Sequence, residues 1–149
     1  LSSLTVFHCN HNAITGRIPS ELGLLTVLDT LELGNNQFQE STFLPPEIWN
    51  IRDLVYLNLA DLHLEGYLPW DMLSKMTNLE HLSMEGNHFE GTLSPLIGEL
   101  ISLQALLLGN GNNFEGTLPS EIGRLTKLTG LLISENHLSG LIPSFLANL

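Results

Sequence analysis

Six times along this chain an apolar residue is followed by a second one three positions later and by a third two positions after that. The triplets are Leu4, Phe7 and Cys9; Leu28, Leu31 and Leu33; Leu54, Leu57 and Leu59; Leu79, Leu82 and Met84; Leu103, Leu106 and Leu108; and Leu128, Leu131 and Ile133. The units that carry them open at Leu1, Leu25, Ile51, Met76, Leu100 and Leu125, in steps of 24 to 26 residues. A unit this short cannot bury its own apolar row. Its neighbours must cover it, so a fixed period of this length means a stack of coils with one continuous core. Thirty-four leucines in 149 residues fill that core, and aromatic residues are only 7%, so the filling is aliphatic.

Each unit divides in the same way. The second and third residues of the triplet are one residue apart, the period of a strand with one buried face. An Asn follows at Asn12, Asn36, Asn87 and Asn136; Asn112 takes the place after a one-residue insertion, and Leu62 replaces it in the third unit. A buried amide there is expected to bond backbone groups left unpaired by the turn, and Leu62 should interrupt that column. A glycine-x-aliphatic-proline step comes next, at Gly16–Pro19, Gly66–Pro69, Gly116–Pro119 and Gly140–Pro143, with Ser94 in the proline place of the fourth unit. Glycine tolerates the turn and proline ends local pairing. The remaining short polar stretch, such as Ser120-Glu121-Ile122-Gly123, suits one helical turn on the outer side. Two insertions are expected as bulges, Gly109–Asn113 and Gln39–Pro46, the second in place of a missing glycine-proline step.

Five Lys and Arg against 16 Asp and Glu leave a net charge of −11. That excludes phosphate-driven nucleic-acid binding and docking on anionic membrane surfaces. The single cysteine, Cys9, forbids an internal disulfide or a cysteine-based zinc site. It holds an inward position and reads as a small buried hydrophobe. No apolar run approaches the roughly 18 residues of a membrane span.

Outward residues of the strands should line up in columns. One is Val6, Thr30, Tyr56, His81, Ala105 and Gly130. The next is His8, Glu32, Asn58, Ser83, Leu107 and Leu132. A third, just past the strand, is His11, Asn35, Asp61, Gly86, Asn110 and Glu135. The centre of this face, Glu32, Tyr56, Asn58, Asp61, His81, Ser83 and Glu85, is the candidate ligand site, with Leu107 and Leu132 as an exposed apolar end. His63, His88 and His137 share one place in the unit, and so do Glu65, Glu90 and Glu115. Two histidines in adjacent units lie close enough for metal ligation, but no third ligand is assured. The stacked glutamates follow from the period and have no enclosing cleft, so no catalytic residue, metal or cofactor is expected. Trp49 and Trp70 should fill gaps under the convex side.

The unit L-x-x-L-x-x-L-x-L-x-x-N-x-L-x-G-x-I-P-x-x-L-G-x resembles the plant-type leucine-rich repeat. Leu125 to Asn148 reads LTKLTGLLISENHLSGLIPSFLAN, nearly position for position, and Leu1 to Leu24 matches as well. Pro119 to Thr126, PSEIGRLT, has a wording also common in algal and protist repeats. The resemblance implies an α/β repeat solenoid: a right-handed, curved superhelix with a parallel concave β-sheet and short 3-10 or helical convex segments. It further implies a non-enzymatic module that recognises a protein or peptide ligand on its concave face. The module would belong to an extracellular or cell-surface ectodomain of a receptor-like protein or receptor-like kinase. An inhibitor of an extracellular enzyme, similar to polygalacturonase inhibitors, and an intracellular scaffold are the alternatives. The whole chain is expected to be one such domain, with repeats 1–24, 25–50, 51–75, 76–99, 100–124 and 125–148, and to be part of a longer array because cysteine-paired caps are missing.

Overall fold

A computed structural model of the chain describes residues 3–39 and 43–149. Leu1, which opens the first unit, and Glu40, Ser41 and Thr42 of the Gln39–Pro46 insertion lie outside the described residues. Strands Val6–His8, Thr30–Glu32, Tyr56–Asn58, His81–Ser83, Ala105–Leu107 and Gly130–Leu132 pair in chain order into one parallel six-stranded sheet. The register aligns Phe7, Leu31, Leu57, Leu82, Leu106 and Leu131 in a single row. The four inner leucines of that row are fully buried. Phe7 and Leu131 are only partly buried, because each outermost strand is covered on one side alone. Burying each inner side chain stabilises the stack by about 1.5–3 kcal/mol.

The return segments build the flank. Glu65–Tyr67, His88–Thr92, Asn113–Gly116 and His137–Leu138 form a second parallel sheet, while Thr15–Gly16 pairs separately with Gln37–Phe38. The break between the two falls at the insertion that displaces the glycine-proline step. The outer side consists of single turns: 3-10 turns at Ser20–Leu24, Pro46–Asn50, Pro95–Glu99, Ser120–Arg124 and Ser144–Asn148, and a short α-helix at Trp70–Leu73. A proline caps most of them. Where Ser94 replaces it, the serine Oγ accepts a hydrogen bond from Leu96 N at 3.2 Å and Pro95 moves into the first turn. Strands stack at about 4.8 Å and helical turns need more width, so the sheet lies on the inner, concave side.

The asparagines tie successive coils together. Asn87 Nδ2 donates to Leu59 O at 2.7 Å and to Met84 O at 3.0 Å, while its Oδ1 accepts from Leu62 N and Leu64 N. Asn36, Asn112 and Asn136 repeat the pattern, each reaching a carbonyl of the preceding coil. The bonds run from amide to backbone, not from one asparagine to the next. Leu62, fully buried, contributes none from its side chain, and Asn87 accepts its N–H. The Gly109–Asn113 insertion is absorbed as a bulge, with Gly111 at φ +100°, so that Asn112 still lands in the column. Trp49 is buried in the core, and Trp70 Nε1 donates to Thr92 O at 3.2 Å.

Candidate functional site

The strand columns form as the periodicity predicts: Tyr56 lies between Thr30 and His81, and Asn58 between Glu32 and Ser83. Their side chains, however, are joined in small groups. His8 Nε2 and Glu32 Oε1 are 3.4 Å apart. The Tyr56 and His81 rings stack, with centroids 5.1 Å apart and planes 28° from parallel. Asn58 Oδ1 accepts from Ala60 N at 3.0 Å and leans over Gly34, where a Cβ would sit 2.6 Å from that oxygen. Glu85 accepts from Asn110 Nδ2 at 2.9 Å and from Ser83 Oγ at 3.4 Å. Ser83 is buried, so it orients Glu85 and presents little surface of its own. Asp61 is exposed. Leu107 and Leu132 are half-buried and not exposed as expected, because neighbouring strands crowd an outward side chain on the concave side.

The column just past the strand has a property that the sequence reading did not extract. His11, Asn35, Asp61, Gly86, Asn110 and Glu135 all have φ between 52° and 63°, in the left-handed region. The N–H groups of the first five donate to carbonyls of the following coil, as in Asp61 N to Glu85 O at 2.8 Å. This turn fixes the direction in which Asp61 and its neighbours leave the backbone. The signal was present in Asn35, Asp61, Gly86 and Asn110, the residue types that tolerate this conformation. His8 and Asn110, which the structure joins to Glu32 and Glu85, also escaped the predicted set.

None of the five cations lies in these columns. Arg52 bonds Met72 O at 3.1 Å and Arg124 faces Glu99 at 3.4 Å, both among the convex turns. The centre of the concave face is therefore acidic and aromatic.

Elsewhere, the His63 and His88 rings sit 6.0 Å apart. Among the described residues no three His, Cys, Asp or Glu side chains come together as metal ligands. The stacked glutamates are not laterally paired. The flank sheet is offset by two residues from the period, so Glu65 lies opposite His88, and Glu90 opposite Tyr67 and Asn113. The charge of Glu90, then its hydrogen bond to the Tyr67 hydroxyl, raise the Tyr67 phenol above its ordinary range, with smaller contributions from desolvation and Glu115. Cys9 is partly buried at the first coil, and that burial raises its thiol above the usual value.

This architecture, with its columns on a parallel inner sheet, is a repeat solenoid. Comparison with known proteins agrees: a Leucine Rich Repeat family model matches residues 3–25, 78–100 and 127–149. Receptor-like protein 41 of Arabidopsis thaliana is 34% identical over 151 residues, spanning 100% of this chain and 16% of that protein. Receptor-like protein kinase HAIKU2 of the same plant is 33% identical over 96 residues, 64% of this chain and 9% of that protein. This chain thus spans a sixth or less of the length of those relatives. Among solved structures, the TDR receptor superposes with a TM-score of 0.91 at 34% identity, covering 100% of this chain and 25% of that one. The Arabidopsis receptor kinase HAESA, solved with the peptide hormone IDA and the co-receptor SERK1, gives 0.89 at 34% identity over 95% of this chain and 23% of that one. The chain carries leucine-rich repeats, and these resemble the repeats of plant receptor ectodomains.

Proposed function

We propose that this chain is a ligand-recognition segment of a receptor-like protein or receptor-like kinase, and that the segment is itself non-enzymatic. It binds a peptide or protein across the concave face, through Glu32, Tyr56, Asn58, Asp61, His81, Ser83 and Glu85. One observation carries this reading: the central columns hold carboxylates and a stacked Tyr56–His81 pair on a rigid sheet, with all five Lys and Arg placed elsewhere. Such a surface favours a ligand with basic groups, and its pre-formed grid needs little ordering on binding. The six-unit division at 1–24, 25–50, 51–75, 76–99, 100–124 and 125–148 sets the spacing of ligand contacts in this reading.

Relatives that are receptor-like proteins and kinases support the receptor reading over the enzyme-inhibitor and scaffold alternatives, and with it a cell-surface or extracellular location. Among the described residues no helix is long and apolar enough to cross a membrane. The test is selection of binders from a displayed random peptide library, followed by titration against Glu32→Gln/Asp61→Asn. These replacements remove two charges while keeping shape, and Asn tolerates the left-handed turn at position 61. Selected peptides should be basic and should lose about tenfold in affinity, about 1.4 kcal/mol. Affinity and salt dependence unchanged in the double variant would dismiss the concave face as the binding surface.

A further inference from the structure

A groove runs along the flank beside the concave sheet, between Phe43 and the edge strand Glu65–Tyr67. Two adjoining cavities, of about 460 and 320 Å³, share Phe43, Glu65, Gly66 and Glu90. Phe43 is 67% exposed and Tyr67 73% exposed, high values for rings in a chain with so few aromatic residues. Both rings are seated on glycines. A Cβ at Gly66 would lie 3.0 Å from the Phe43 ring, and one at Gly91 would lie 2.8 Å from the Tyr67 ring. The bare backbone of one coil is thus a platform for the ring of the coil before it. Tyr67 also lies beside Glu90, whose charge raises its phenol above the ordinary range. Neither Glu65 nor Glu90 forms an ion pair with a Lys or Arg; among the described residues the one such pair, Arg124–Glu99, lies elsewhere.

Ring faces are electron-rich, and two carboxylates lie beside them, Glu65 half-buried and Glu90 exposed. This combination attracts a cation and repels an anion. A neutral ligand would use the rings and leave the carboxylates without a partner. Guanidinium fits best, because it stacks on a ring face while its N–H fork reaches a carboxylate. We infer that this flank groove is a second binding site, separate from the concave face, which takes arginine side chains of a basic peptide segment between Phe43, Tyr67, Glu65 and Glu90. His88 lines one of the cavities, with its ring 6.0 Å from that of His63.

The experiment is an NMR titration of the whole chain, with ring-labelled Phe and Tyr, at pH 8 and low salt. The probe is a hexa-arginine peptide; hexa-citrulline, of the same shape without charge, and cellohexaose are the neutral arms. Hexa-arginine should shift the Phe43 and Tyr67 resonances saturably, at least fivefold more tightly than either neutral probe. Phe43→Ala/Tyr67→Ala and Glu65→Gln/Glu90→Gln should each weaken it at least fivefold, the first pair being read on Phe89. The concave variant Glu32→Gln/Asp61→Asn should leave it within twofold. An unchanged amide fingerprint and melting transition should show that Glu65→Gln/Glu90→Gln is still folded. Absence of a saturable shift, equal response to hexa-citrulline, response to cellohexaose alone, or loss only in the concave variant would each overturn the assignment.

Discussion

Asn87 takes part in five hydrogen bonds, three through its amide nitrogen and two through its oxygen, and is fully buried. Asn87→Ala leaves buried carbonyls and N–H groups of two coils without partners and should cost about 3 kcal/mol in urea unfolding. Asn12 is exposed, and its side chain bonds only carbonyls of its own coil, Cys9 and Asn10. Asn12→Ala should therefore cost less than about 1 kcal/mol; equal losses at the two sites would show that the link between coils contributes nothing. The left-handed column suggests an improvement at its last member. Glu135 sits at φ 56° with none of the tolerance of Asn. Glu135→Asn should raise stability by about 0.5 kcal/mol, visible as a higher melting temperature. Burial keeps Cys9 protonated above its ordinary thiol range. Its alkylation by iodoacetamide at pH 8 should be slower in the folded chain than in urea. The folded state holds this proton more tightly, so the thiol's contribution to stability is full below its unfolded value and declines as pH rises through that range.

Among the elements, the convex turns pack through small residues. At Gly98 a Cβ would lie 2.8 Å from the backbone oxygen of Glu121 in the next turn. Gly98→Ala must push the two turns apart and should cost about 2 kcal/mol in thermal or urea unfolding, although Ala is the better helix former. A neutral or stabilising result would mean that the turns slide freely. The flank sheet shows how far element geometry departs from sequence period. Glu65, Glu90 and Glu115 share a place in the unit, yet the offset register sets Glu65 against His88 and Glu90 against Tyr67. The period identifies equivalent residues; the lateral shift between strands decides which ones face each other.

On the scale of the molecule, charge and core are segregated. The aliphatic filling is continuous from Ile18 to Leu128, and the acidic groups lie around it with few cations between them. A net charge of −11 makes self-repulsion a destabilising term that salt screens. Raising sodium chloride from about 20 to 200 mM shortens the screening length severalfold and should raise the melting temperature; a fall would mean that attractive pairs such as Arg124–Glu99 outweigh the repulsion. The inner columns were readable in advance, because one strand per coil places equivalent residues side by side. Groupings such as His8 with Glu32, or Glu85 with Asn110, were not, since they depend on how side chains of different columns lean across the sheet.

The six-fold spacing of apolar residues determined the solenoid by itself: no coil of this length can hide its leucines alone, so stacking is the only way to remove them from water. It also determined the asparagine column, because the turn leaves backbone groups that only a buried amide can satisfy. The tertiary structure alone decided the two-residue shear of the flank sheet, the break beside Phe43 and the seating of Phe43 and Tyr67 on Gly66 and Gly91. The shear is the same in every flank pair, whereas the break falls where an insertion makes neighbouring coils differ. The energies of these features belong to contacts between coils, which no single unit of the sequence contains.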